Sequence, residues 1–214
     1  MGITIGIGGG SGSGKSTLVE KLLAAVGDVV VHLPHDAYYR NRTEMPEHVR
    51  TTENWDHPDA LDTGLFLEHL RELQAGRAIR KPEYDFGTHS RKPVAKLLEP
   101  RPVILVEGIL VLAIPEIRAC LDLNVFVEAP ADIRLLRRFL RDSAKRGRDL
   151  AGIAGQYLHT VREMHARYVE PSKSHAHLVV PWERHNDHAV EVLVNHVRVA
   201  GCLNANEYKA SASV

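Results

Sequence analysis

Ile3-Thr4-Ile5-Gly6-Ile7-Gly8-Gly9-Gly10-Ser11-Gly12-Ser13-Gly14-Lys15-Ser16-Thr17 is the stretch on which the fold turns. Ile3, Ile5 and Ile7 form a short β-branched run that ends in glycines, the pattern of a buried strand. From Ser16 onward Val19, Leu22, Leu23 and Val26 recur at helical spacing, and Gly27 stops the run. Between strand and helix, Gly9 to Ser16 satisfies G-x-x-x-x-G-K-[ST] in full. Glycines at these positions let backbone N–H groups turn inward around phosphate oxygens, and the helix adds its positive end. Lys15 offers a point charge to the β and γ phosphates, and Ser16 a hydroxyl to Mg²⁺. The reading is a phosphate-binding loop made of Gly9, Ser11, Gly12, Ser13, Gly14, Lys15, Ser16 and Thr17. An accidental glycine-rich turn would not carry the Lys-Ser pair between a strand and a helix.

Outward from this loop the chain alternates short apolar strands with helices. Val29–Leu33 reads as a second strand ended by Pro34, and residues 34–60 as irregular. A helix is expected over 63–75, with Phe66, Leu70 and Leu73 on one face, and strand-like stretches around Gly87 as a β-ribbon over 78–98. Val103–Val106 and Leu123–Val127 read as central strands. Helices over 131–146 and 150–168, a late strand at 177–180 and a helix over 187–199 complete the order. This implies an α/β fold, a doubly wound parallel sheet of the P-loop NTPase type with a β-ribbon and a helical lid. One domain over 1–203 is expected, the lid region spanning 134–156, with a frayed tail over 204–214. Ligands in such sheets sit at the carboxyl ends of the strands.

The loop alone serves kinases, GTPases and ATPases. No Asn-Lys-x-Asp segment for guanine is present, which points to ATP, and 214 residues leave little room for a transport ATPase. A small-molecule kinase needs a carboxylate at the metal and an acidic group near the acceptor hydroxyl. Glu107 follows the strand 103–106 and Asp36 the strand 29–33. Asp36 is expected as the base and Glu107 as a metal ligand with Ser16, although the two carboxylates could share these roles. Either could instead be an ordinary turn residue after a strand.

Arg134, Arg138, Arg141, Lys145 and Arg148 recur so that a continuous helix would carry them on one face, with Ile133, Leu136 and Leu140 elsewhere as its anchor. A lid bearing arginines over the phosphates is one reading; a solvated basic face paired with Asp132, Asp142 and Asp149 is the other. In a chain with a phosphate loop the lid is favoured, since closure excludes water from the transfer.

Composition narrows the partners. Lys+Arg and Asp+Glu are each 27, so the basic excess of a nucleic-acid coat is missing. Two cysteines without a CxxC support neither a disulfide framework nor a zinc site. No signal peptide is read at the N-terminus, and no apolar run of about 18 residues could span a bilayer. A cytoplasmic protein without membrane or nucleic-acid partners is expected.

Seven segments in one order carry a wider resemblance: Gly9–Thr17, His35–Arg40 (HDAYYR), Asn54–Ala60 (NWDHPDA), Tyr84–Arg91 (YDFGTHSR), Val106–Leu110 (VEGIL), Arg137–Asp149 (RRFLRDSAKRGRD) and Tyr168–Lys173 (YVEPSK). The chain resembles the uridine kinase, or uridine–cytidine kinase, family over about residues 3 to 200. The resemblance implies ATP- and Mg²⁺-dependent phosphorylation of the 5′-hydroxyl of uridine and of cytidine in pyrimidine salvage. Asp36, Lys15 and Arg141 would be catalytic, and Ser16, Glu107 and Asp36 would hold the metal. Asp56 would bind the ribose diol, Tyr84 and His89 the pyrimidine, and Arg138, Arg148 and Gln156 the nucleoside. It also implies a homo-oligomer, a tetramer in the family's habit. Phosphoribulokinase and pantothenate kinase are the alternatives within the superfamily, and an ATP-binding regulatory switch the alternative outside it. Three features depart from the family: Trp55 for the usual Phe, His35 before Asp36, and Pro-Trp-Glu-Arg-His-Asn after Val180. A histidine at 35 is expected to add positive charge beside Asp36 at low pH.

Overall fold

The structure is a computed structural model that describes residues 2–46, 49–50 and 53–211, the last nine by backbone only. In chain order the strands are β1 (Ile3–Gly8), β2 (Val30–Pro34), β3 (Ile79–Lys81), β4 (Tyr84–Asp85), β5 (Ser90–Arg91), β6 (Lys96–Leu98), β7 (Val103–Glu107), β8 (Leu123–Glu128) and β9 (Leu178–Pro181). Five of them form one parallel sheet in the order β2-β7-β1-β8-β9. Neighbouring residues on its strands point to opposite faces. Ile104 and Val106 enter one core with Phe66, Leu70 and Phe126, while Val103, Leu105, Ile5 and Ile7 enter the other with Leu18 and Leu22. Two separate cores account for the near-continuous apolar runs of these strands.

The helices that cover the sheet are α1 (Lys15–Val26), α2 (Thr63–Gln74), α3 (Ala131–Arg146), α4 (Leu150–Gln156) and α5 (Asp187–Ser211). Asp62 starts α2 by accepting the Leu65 N–H at 3.3 Å, and Asp149 starts α4 in the same way on Gly152, at 2.7 Å. α4 does not stop where the expected helix does. It passes through π-helical turns at Tyr157–Val161 and His165–Val169 and ends in a tight turn, Lys173–His175. The last helix also runs on, through Ser211 rather than 199. Residues 47, 48, 51 and 52 of the expected irregular stretch, and 212–214 of the expected tail, lie outside the described residues.

The segment over 78–98 pairs with itself, β3 against β6 and β4 against β5, both antiparallel and apart from the main sheet. Strand register then assembles the site. Ile7 pairs with Glu107, and Glu107 with Pro34, so β1, β7 and β2 end side by side. The phosphate loop, Glu107 and Asp36 all emerge from that edge.

Candidate active site

The loop after β1 is shaped by glycines that no other residue could replace without strain. Gly12 has φ +79° and Gly14 φ +103°. A Cβ on Gly14 would stand 2.1 Å from the ring of Trp182, and one on Gly12 2.3 Å from the Arg134 carbonyl oxygen. Gly14 precedes α1 without a side-chain cap, so the free N–H groups of that first turn face the loop. Lys15 is buried across the loop and donates to the Gly10 carbonyl at 2.9 Å. Burial lowers its pKa; Glu107 and Asp36 act in the opposite direction.

Ser16 donates to Glu107 Oε1 at 3.1 Å. His32 Nε2 stands 3.7 Å from Oε2, beyond hydrogen-bonding distance. Burial raises the Glu107 pKa, but His32, Lys15 and Ser16 together outweigh it and hold the carboxyl below its ordinary value. Asp36 behaves in the opposite way. Its Oδ1 is buried without a hydrogen-bond partner among the described residues. Burial, reinforced by Glu107, raises its pKa to about 6 against the pull of Lys15, Arg146 and Arg141. Two carboxylates on adjacent strand ends thus differ in character: one is anchored and acidic, the other bare and basic.

His35 does not add the positive charge expected of it. It is fully buried, packs edge-on against Phe66 at 4.7 Å, and desolvation pushes its pKa down to about 3. Its imidazole stays neutral at any pH at which the protein would work.

On the other side of Asp36 lies a cleft of about 480 Å³, part of it open to solvent. Asp56, Tyr84, His89, Arg138, Arg148 and Gln156 all line it. Asp56 is buried, and desolvation raises its pKa while Arg138, Arg141, Arg146 and Arg148 lower it. The Tyr84 hydroxyl is buried without a hydrogen-bond partner among the described residues, beside the rings of Tyr39 and Phe86. His89 adopts φ +51°, unusual for a residue with a Cβ, and stacks on Trp55 with ring centroids 4.9 Å apart. Arg148 donates to His89 Nε2 at 2.8 Å. Arginine has no lone pair to offer, so the neutral ring carries its proton on Nδ1. Burial and then Arg148 push the His89 pKa down to about 4.

The arginine face is not the one expected. α3 ends at Arg146, and Gly147 at φ +63° turns the chain, so Arg148 reaches the cleft from beyond the helix. Arg134 and Arg138 are buried and Lys145 is exposed, whereas of the expected anchors Ile133 is half-buried and Leu136 and Leu140 are 57% and 65% exposed. The helix is held by its cations. Arg138 donates to Ser11 Oγ at 3.0 Å and to Gln156 Oε1 at 2.7 Å, and Arg148 shares that Gln156 oxygen at 2.8 Å. Arg141 reaches Ser11 Oγ at 3.5 Å. Arg137 ties Ser13 to the carbonyls of Trp182 and Glu183.

Several lining residues escaped sequence reasoning. Tyr39, Phe86, Ile109 and Arg146 all face the cleft, and Arg146 lies 4.5 Å over the Phe86 ring. Arg146 follows Arg138 by eight residues and Asp142 by four, so helical spacing carried the signal. Ser16, Glu107 and Asp36 border a second opening, about 860 Å³ and open to solvent. Asp36, Tyr84, Phe86, Arg141 and Arg146 line both spaces.

A phosphate loop that adjoins a second, partly open cleft, with a bare carboxylate on the border, is the layout of a P-loop kinase acting on a small molecule. Residues 4–189 match the profile of the Phosphoribulokinase / Uridine kinase family. The chain is 43% identical over 199 residues to a uridine kinase of Chloroflexus aggregans, covering 92% of this chain and 95% of that one. It is 41% identical over 197 residues to a uridine kinase of Clostridium tetani, covering 92% and 94%. Among solved structures the fold resembles phosphoribulokinase from Rhodobacter spheroides, with a TM-score of 0.60 at 17% identity over 82% of this chain and 68% of that one. It also resembles D-glycerate 3-kinase from Cryptococcus neoformans, with a TM-score of 0.56 at 14% identity over 78% of each. The chain belongs to the Phosphoribulokinase / Uridine kinase family. Among the described residues no helix is long and apolar enough to cross a membrane.

Proposed function

We propose that the protein transfers the γ-phosphoryl group of ATP to the 5′-hydroxyl of uridine and of cytidine. The observation that carries this reading is the position of Asp36, on the border of both the nucleotide side and the acceptor cleft. The relatives at 41–43% identity carry the name uridine kinase, which supports the choice of acceptor. The cleft suits a nucleoside: Asp56 can accept two hydrogen bonds from a vicinal diol, Tyr84 and His89 present a flat wall with polar tips, and Gln156 holds Arg138 and Arg148 beside it.

In this reading the unpartnered Asp36 Oδ1 accepts the proton of the attacking hydroxyl as the bond to phosphorus forms. Lys15 and Arg141 face the charge that develops on the transferred group, in a space already ordered by the protein. The donors at the loop fit Mg²⁺. Ser16, Glu107 and Asp36 offer oxygen atoms only, the donors a hard divalent cation takes. That suits a cation which keeps water and substrate phosphate in its shell. When bound, it neutralises charge on the β and γ phosphates. The same reading takes the protein to be cytoplasmic and homo-oligomeric, with residues 78–98 and 134–156 acting as ribbon and lid within one domain.

The test is a transfer assay with ATP and a panel of acceptors: uridine, cytidine, ribulose 5-phosphate, pantothenate and D-glycerate. Uridine and cytidine should exceed the others in kcat/KM by at least about a hundredfold, since a site built for one set of polar groups rejects what leaves them unpaired. Turnover of a sugar phosphate or an acid at the uridine rate would overturn the reading. ATP binding with no turnover on any acceptor would favour a regulatory switch.

A further inference from the structure

The charge of the cleft has a centre outside the cleft. Asp142, on α3, has a side chain with no exposure at all. Arg141 Nε donates to its Oδ1 at 2.7 Å, and Arg146 stands 3.4 Å from the same oxygen. Arg138 and Arg148 lie 3.6 Å from Oδ2, close enough for ion pairing but not for a hydrogen bond. All four guanidinium groups line the acceptor cleft, whereas Asp142 does not. The backbone adds to this. The Asp142 carbonyl accepts the N–H groups of Gly147 and Arg148, and this turn brings Arg148 back toward the cleft.

Four cations crowded around one space repel each other and disperse unless an anion sits among them. We infer that Asp142 is the positioning residue of this set: its buried carboxylate holds Arg138, Arg141, Arg146 and Arg148 toward the cleft before any substrate arrives. The inference rests on the kinase reading of the cleft and adds a residue to it. Asp142 lines neither the acceptor cleft nor the opening beside Ser16 and Glu107, so its effect on the reaction passes through the arginines. Replacing it raises the net positive charge of the site. If only charge mattered, anions would then bind more tightly; if position matters, they bind more weakly.

The experiment is a double-mutant cycle between Asp142→Asn and Arg141→Ala, read first in kcat with ATP and uridine. Asp142→Asn is expected to lower kcat at least about tenfold in the parent and by a smaller factor in the Arg141→Ala background, where Arg138, Arg146 and Arg148 still depend on it. Equal factors in the two backgrounds, or an unchanged kcat in the parent, would overturn the proposal. Asp142→Glu keeps the charge but displaces it by one methylene, and should fall between parent and Asp142→Asn. If Asp142→Asn does not fold, Asp142→Glu decides, since a parent-like kcat there sinks the positioning role. Calorimetric titration of the same proteins with tripolyphosphate is independent of any acceptor. Weaker binding in Asp142→Asn is expected, despite the lost negative charge, and unchanged or tighter binding would overturn the proposal. A parent that binds tripolyphosphate but phosphorylates no nucleoside would sink the proposed function and still leave this second reading decisive.

Discussion

The phosphate loop and the arginine helix are both built to meet phosphate, by opposite means. The loop uses backbone N–H groups, and its shape is fixed by glycines at positive φ wedged against Trp182 and Arg134. The helix uses long side chains whose direction depends on a buried counterion, on Ser11 and on Gln156. A backbone site resists mutation of its neighbours but not of its glycines. A side-chain site can be loosened from a distance, through residues that touch no substrate. Asp36 lies between the two, and it gives the largest contrast.

Asp36→Asn should retain ATP affinity within about threefold and lose about 10²–10⁴ in kcat, the usual range for a general base. Its pKa gives a second, opposite expectation. Asp36 is raised in the fold to about 6 from a reference of 3.8. The stability it contributes is therefore fully present below the reference pKa and lost as pH rises through about 6. Above that pH the neutral Asn avoids the cost of ionising a buried group, so the variant should gain stability, on the order of 3 kcal/mol in the ligand-free protein. Carbon-13 titration of the parent's carboxyl groups should show one near 6 that disappears in the variant. Activity within threefold of the parent would remove Asp36 from the chemistry.

Arg141→Ala tests the helix against the loop. Removing one charge-stabilising donor should slow transfer by about 10²-fold. Losing the 2.7 Å hydrogen bond to the buried Asp142 should cost about 1–3 kcal/mol, short of unfolding the protein. A collapse in melting temperature with the remaining folded protein fully active would make the arginines structural. His89→Ala touches only the acceptor side. It should raise the KM for uridine by about tenfold, the scale of one lost polar contact, and leave the KM for ATP unchanged. Equal losses for both substrates would detach His89 from the nucleoside.

These two regions also differ in how far they can be read from residues alone. The loop, its strand and its helix are local, each set by neighbours within a few positions, and alternating apolar runs and helices carry the parallel sheet, though not the order of its strands. Glu107 and Asp36 were legible because parallel strands end at one edge. What was not legible depends on burial across the chain. His35 looks like a titratable neighbour of Asp36, yet Phe66, thirty-one residues away, encloses it. Asp142 reads as one of several acids that could neutralise a solvated face. Only packing shows it to be the sole fully buried one among Asp132, Asp142 and Asp149. α3 misleads for the same reason: hydrophobic periodicity assumes that apolar residues face inward, and here the inward space is a charged cleft.

The smallest expected effect probes that inversion most directly. Leu136 and Leu140 lie one turn apart on the outer side of α3, both more than half exposed, while Arg138 and Asp142 face inward. If the helix is held by its charges, Leu140→Gln removes apolar surface that water already reaches. Its stability should then stay within about 0.5 kcal/mol of the parent, as for ordinary surface positions, and kcat should be unchanged. If the leucines were the anchor, the same substitution would bury an amide without a partner and cost about 1–3 kcal/mol. Urea titration separates the two. A loss above about 1 kcal/mol would mean that α3 turns its leucines inward in solution, and the arginine geometry of the cleft would have to change with it.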